Sequence, residues 1–76
     1  MITGTILIIG ANGQLGSVLT EELQRIHGKS NIIASDVYLN SNFDGLFELV
    51  DATDIKAVEN IVNKYSVKQI YHLAAI

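Results

Sequence analysis

The feature that most constrains this chain is its first apolar run and the loop that ends it. Thr5-Ile6-Leu7-Ile8-Ile9 is an unbroken, mostly β-branched stretch, and Gly10 stops it. Such a run predicts a strand buried on both faces, as in a parallel sheet covered by helices. Gly10-Ala11-Asn12-Gly13-Gln14-Leu15-Gly16 follows and leads into a helical period. Leu15, Val18, Leu19, Leu23 and Ile26 predict the apolar face of that helix, with Thr20, Glu21, Glu22, Gln24 and Arg25 largely off it. His27-Gly28-Lys29 ends it, Gly28 suiting the left-handed position beyond a helix.

The rest of the chain repeats the alternation. Asn31-Ile32-Ile33-Ala34-Ser35 predicts a second strand, closed by Asp36. Asn40, Ser41, Asn42, Asp44 and Gly45 are turn formers, so Val37 to Gly45 reads as a loop. Leu46 to Val50 predicts a third strand, and Asp54 an N-cap. Val58, Ile61, Val62 and Tyr65 then repeat at the spacing of a second helix. Gln69-Ile70-Tyr71-His72-Leu73 predicts a fourth strand, running into Ala74-Ala75-Ile76. Strands alternating with helices predict an α/β fold with a four-stranded parallel sheet, flanking helices and right-handed crossovers. Ligands of such sheets bind beyond the carboxyl ends of the strands, near the point where strand order reverses. Those ends are Gly10, Asp36, Asp51 and Leu73-Ala74-Ala75.

Size and composition set limits on this reading. Seventy-six residues suffice for one small domain, here residues 1–76. A chain so short buries only about 60% of the surface its unfolded form exposes. Yet 49% of the residues are hydrophobic and 17% charged, a density suited to strands covered by more protein. The expectation is therefore a fragment or N-terminal subdomain of a longer enzyme. The net charge is −3 and the five basic residues are scattered, so no stripe is offered to nucleic acid. Cysteine is absent, which excludes disulfides and thiol chemistry. No arrangement of His and carboxylates has metal-ligand spacing. No apolar run approaches the roughly 18 residues of a membrane span. No basic region precedes the first apolar run, as a signal peptide would require, so a cytoplasmic location is the default expectation. An open sheet edge leaves room for self-association.

The glycine loop carries the chemistry. A pyrophosphate needs close backbone approach, which side chains obstruct. Gly10 permits the turn out of the strand, Gly13 leaves room near phosphates, and Gly16 lets the helix approach the sheet. Free N–H groups at the helix start and the helix dipole favour negative charge. The strand before, the helix after and the acid twenty residues past Gly16 together form a Rossmann dinucleotide signature. The competing reading is a tight strand–helix turn without ligand. Ser17-Val18 follows Gly16 where a kinase-type phosphate loop needs Lys then Ser or Thr, which argues against ATP by that route. Asp36 could accept both hydroxyls of an adenosine ribose and would repel a 2′-phosphate, favouring NAD over NADP. Its competing reading is an exposed turn aspartate. Asp51 could accept from the adenine amino group, or cap the approach to the second helix beside Asp54.

These segments together resemble a known family. Gly10 to Gly16, Ala34-Ser35-Asp36, Leu49-Val50-Asp51-Ala52-Thr53-Asp54 and Tyr71-His72-Leu73-Ala74-Ala75 resemble the extended short-chain dehydrogenase/reductase superfamily, which includes NAD-dependent epimerases and dehydratases. Within it the chain looks most like the short-chain-type L-threonine 3-dehydrogenases, on Gly13-Gln14-Leu15-Gly16, Asn31 to Asp36 and Ile70 to Ile76. The resemblance covers essentially the whole chain and implies the N-terminal half of a Rossmann domain. By position it implies that Asn12, Gln14 and Leu15 line the pyrophosphate, chiefly through backbone N–H groups. Asp36 would hold the ribose, and Asp51 and Ala52 would bracket the adenine. Leu73, Ala74 and Ala75 would run beside the cofactor toward the nicotinamide.

The departures from that family narrow the expectation. Its members use a Tyr-x-x-x-Lys pair with an upstream Ser or Thr, and this chain has no such pair. Tyr65-Ser66-Val67-Lys68 has the wrong spacing, and Tyr65 fits the apolar face of its helix. His27 is expected exposed at a helix end. His72, one residue before the cofactor edge, could help shape the site, with a hydrogen-bonded core histidine the commoner outcome. The chain should therefore supply cofactor contacts without completing a hydride transfer. A small-molecule substrate enters only in a longer parent. Two classes of function remain: part of an NAD-dependent oxidoreductase, with a nucleotide-sugar epimerase or dehydratase as the alternative, or a non-enzymatic dinucleotide-binding module.

Overall fold

In a computed structural model, which describes residues 4–73, the elements follow the order read from the sequence. They are β1 (Thr5–Ile9), α1 (Gln14–His27), a 3-10 turn (Lys29–Asn31), β2 (Ile32–Asp36), β3 (Leu46–Leu49), α2 (Ile55–Tyr65) and β4 (Val67–His72). The first strand and first helix have the expected limits. The second strand starts one residue later than expected, because Lys29 to Asn31 is wound into the 3-10 turn.

The four strands form one parallel sheet in the order β3-β2-β1-β4. Period-two alternation along β1 divides the core. Ile6 and Ile8 face one side with Ile32, Ala34, Ala11 and Leu23 of α1. Leu7 and Ile9 face the other with Ile33, Val50 and Ile61 of α2. The helices therefore cover opposite faces, which explains why β1 is apolar throughout rather than alternating. Phe43 and Phe47 pack edge-to-face, with ring centroids 5.7 Å apart, against the α1 side of the core. The turn-rich segment before β3 thus contributes a core residue.

One expectation is corrected. The face of α1 that meets the sheet is Gly16, Thr20 and Leu23, with Leu19 half-buried beside them. Leu15, Val18 and Ile26 instead point outward, 67%, 67% and 56% exposed. The cause is close approach. A helix lying against the turn that leaves β1 must present its smallest side chains there. Thr20 is tolerated on that face because its hydroxyl donates to the Gly16 carbonyl at 2.6 Å. Gly28 closes the helix at φ 89° and ψ 146°, a region that glycine alone adopts easily, and its N–H donates to the Gln24 carbonyl. No helix among the described residues is long and apolar enough to cross a membrane.

Candidate functional site

The strand order decides where the site lies. The chain steps from β1 outward through β2 to β3, then returns to the far side of β1 to form β4. Strand order reverses between β1 and β4, and beyond that point the carboxyl ends of all four strands meet. Gly10 follows β1, Asp36 ends β2, Asp51 lies just past β3, and Leu73 follows β4. The Leu73 N–H donates to the Ile9 carbonyl at 2.8 Å, carrying the β1–β4 pairing to this edge. Ala74 and Ala75 lie outside the described residues.

The glycine loop is held from below by Ser35. The N–H groups of Gly10 and Ala11 both donate to the Ser35 carbonyl at 3.0 Å. The Ser35 hydroxyl, fully buried, donates to the Ile8 carbonyl. Gly10 turns at φ 89°, outside the range of ordinary side chains. A Cβ on Gly16 would meet the Gly10 carbonyl oxygen at 2.1 Å. Gly13 differs from both. Its φ of −71° suits any residue, and a Cβ there would have only the Gly10 oxygen, at 3.7 Å, for a neighbour. The fold itself does not require glycine at position 13. A side chain there would project into the space in front of the helix.

That space faces an uncompensated helix start. Gly13 is the N-cap and supplies no side-chain hydrogen bond, and the first turn of α1 contains no acidic residue. The leading N–H groups of a helix have no partner within it, and among the described residues those of Gln14, Leu15 and Gly16 find none elsewhere. A partial positive charge is thus directed at the site. Gln14 and Leu15 are themselves exposed.

Asp36 is half-buried at the end of β2, and its carboxylate is fixed on both oxygens. Oδ2 accepts the Asn12 N–H at 2.9 Å and Oδ1 accepts the Val37 N–H at 2.7 Å. Its backbone carbonyl accepts the Val50 N–H. A carboxylate accepts about four hydrogen bonds, so each oxygen retains capacity toward the open edge. Asn12 was expected to turn its N–H toward phosphate. That N–H is committed to Asp36, and the Asn12 side-chain amide donates to the Tyr38 carbonyl at 2.8 Å.

A cavity of about 140 Å³ adjoins Asp36, lined by Ile9, Gly10, Val37, Val50, Asp51, Ala52 and Thr53 as well. Asp51 Oδ1 accepts both the hydroxyl and the N–H of Thr53. These bonds, the hydroxyl foremost, hold the Asp51 carboxyl below the usual carboxylate range. The helix-capping role falls to Asp54, whose Oδ1 accepts the Ala57 N–H at 3.1 Å. Of the two roles that sequence left open for Asp51, capping α2 is thus taken by Asp54. Ser35, Val37 and Thr53 were not singled out beforehand. A lone serine within an apolar strand was the available signal for Ser35.

The larger cavity, about 440 Å³, is a mostly apolar groove between α2 and β4 that shares Ile9 and Ala52 with the smaller one. Among the described residues His72 is exposed and lines it, so of the two readings left open the core histidine is not the one seen. β4 alternates half-buried with exposed residues, which puts His72 on the same face as Ile70, toward α2. Tyr65 is packed against the α2-side core as expected, and its hydroxyl donates to Glu48.

The sequence profile of the NAD dependent epimerase/dehydratase family matches residues 6–76. This chain belongs to that family. An uncharacterized epimerase/dehydratase of Staphylococcus haemolyticus is 32% identical over 93% of this chain, which spans 24% of that protein. Among solved structures, L-threonine dehydrogenase from Clostridium difficile superposes with a TM-score of 0.91 at 39% identity, covering all of this chain and 25% of its own. A GalE-like L-threonine dehydrogenase from Cupriavidus necator, in its holo form, gives a TM-score of 0.89 at 38% identity over 95% of this chain and 24% of its own. The chain thus spans about a quarter of the length of these relatives. Within the family, the described sheet and helices are the N-terminal Rossmann portion.

Proposed function

We propose that this chain forms the NAD-binding part of an oxidoreductase resembling L-threonine 3-dehydrogenase. The observation that carries the reading is Asp36, oriented by two backbone N–H groups beside a helix start that has neither cap nor acidic first turn. The residues fit the cofactor. The opening that a Cβ on Gly13 would fill lies in front of the Gln14, Leu15 and Gly16 N–H groups, where a pyrophosphate would sit. The remaining acceptor capacity of Asp36 suits a ribose diol and opposes a 2′-phosphate. The cavity beside Asp51 and Ala52 would take the adenine edge. Leu73, Ala74 and Ala75 would lead toward the nicotinamide. Gly10 and Asn12 shape the loop rather than donating to phosphate.

NAD, when bound, supplies the hydride acceptor. The residues of this chain bind and orient it, and the acid–base groups of the reaction would come from elsewhere in a longer polypeptide. A nucleotide-sugar epimerase or dehydratase is the second reading, supported in its reaction class by the likeness to the staphylococcal epimerase/dehydratase. Calorimetry with NAD and NADP on the parent and on Asp36→Arg tests the cofactor assignment. The expected result is a preference for NAD that Asp36→Arg reverses; equal affinities in parent and variant would overturn it. NADH formation from L-threonine by the full-length protein, against turnover of a nucleotide sugar, separates the two enzyme readings.

A further inference from the structure

We propose that Asn12 is a positioning residue for the adenosine end of the site, latching the segment after β2 to the glycine loop so that Asp36 presents its carboxylate correctly. This inference rests on the NAD reading above. Val37, Tyr38 and Leu39 leave the sheet directly after Asp36 and are 62%, 63% and 61% exposed, so packing does not fix them. The Asn12 side-chain amide donates to the Tyr38 carbonyl across a separation of 26 residues. Among the described residues, no other hydrogen bond joins the backbone of Val37, Tyr38 or Leu39 to a distant segment.

The same residue reaches Asp36 through its main chain. The Asn12 N–H holds Asp36 Oδ2, and the Val37 N–H, on the latched segment, holds Oδ1. The plane of the carboxylate is therefore set jointly by Asn12 and by the segment that Asn12 ties down. With the latch in place, the carboxylate is ordered before the ribose arrives. Without it, Val37 to Leu39 must be ordered at the moment of binding, and the ligand bears that entropy. The residue that sequence assigned to the phosphates thus serves the ribose, and the phosphates are left to Gln14, Leu15 and Gly16.

The test is a double-mutant cycle with ADP-ribose as probe, measured by calorimetry on the full chain, with 2′-phosphorylated ADP-ribose as a second ligand. Asn12→Ala should lower ADP-ribose affinity about tenfold, the effect of one hydrogen bond and the order it confers. The preference for ADP-ribose over its 2′-phosphate should shrink as well, which a general loss of stability would not produce. In an Asp36→Ala background the same substitution should change affinity less than about twofold. Additive losses, or equal weakening of both ligands, would overturn the latch. Circular dichroism reports folding. If Asn12→Ala does not fold, Asn12→Ser, too short to reach Tyr38, is read in the same cycle, and failure of both to fold also overturns the latch. A parent that does not bind ADP-ribose defeats the nucleotide reading itself. A parent that binds, with additive variants, defeats the latch alone.

Discussion

Gly16 lies so close beneath Gly10 that a Cβ on the first would stand 2.1 Å from the carbonyl oxygen of the second. The obstacle is backbone, and it is held in place, because the Gly10 and Ala11 N–H groups are both bonded to the Ser35 carbonyl. The first turn of α1 therefore rests on the exit from β1 with no room for a methyl group. This contact sets the distance between the helix start and the strand ends.

Gly16→Ala separates helix propensity from packing. Alanine gains about 1 kcal/mol over glycine within a helix. A clash with fixed backbone costs roughly 1–3 kcal/mol or more. The expected outcome is a net loss of stability, seen as a lower urea midpoint. A midpoint at or above that of the parent would contradict the close approach.

Gly13→Asp should move stability and binding in opposite directions. The position is an N-cap in extended conformation with open space around it, so aspartate can cap α1 and add a few tenths of a kcal/mol. The same carboxylate would stand where the phosphates are proposed to lie. ADP-ribose affinity should fall at least about tenfold. Thermal melting and calorimetry on one preparation check both signs.

Glu48 on β3 accepts from the Tyr65 hydroxyl and from the Lys64 ammonium on α2, which pins the edge strand to that helix. The Tyr65 hydroxyl first, then Lys64, hold the Glu48 carboxyl below its ordinary range. The same bond to Glu48, with burial second, pushes the Tyr65 phenol up. The Glu48 contribution is complete above the ordinary carboxylate range and is lost as pH falls through its lowered value. The Tyr65 contribution is complete below the ordinary phenol range and is lost as pH rises through its raised value. Tyr65→Phe keeps the ring in the core and should cost about 1 kcal/mol near neutral pH. That difference should shrink toward both extremes in urea melts across a pH series.

Asp54→Ala removes the one side-chain cap of α2 and should lower stability by about 1 kcal/mol. Asp54→Asn should retain most of that, because its carbonyl oxygen can accept the Ala57 N–H. A loss as large with asparagine as with alanine would assign the effect to charge instead of the cap.

Much of the fold was legible because it is encoded locally. The run Thr5 to Ile9 could be read as a doubly covered strand because every second residue faces a different helix and all must be apolar. Asp54 was legible as a cap because its partner, Ala57, is three residues away. The face of α1 was misread for a physical reason. Apolar periodicity finds Leu15, Val18 and Ile26, but the sheet selects the small residues Gly16 and Thr20, since distance to a fixed backbone decides the contact. Phe43 was hidden among turn formers, and its packing depends on Phe47 and on the α1 side of the core. His72 could not be placed from sequence, because strand period gives its face but not which helix packs over that face.

By itself, the sequence determined the alternation of strands and helices, the glycine loop between β1 and α1, and an acid at the end of β2. Each of these rests on side-chain period or backbone freedom within a few residues. Tertiary structure alone decided the strand order β3-β2-β1-β4, which brings Gly10, Asp36 and Asp51 to one edge. It alone turned the Asn12 N–H to Asp36 and the Asn12 amide to Tyr38, across 24 and 26 residues. Such bonds depend on where two distant turns meet once the sheet has formed, and no local pattern carries that information.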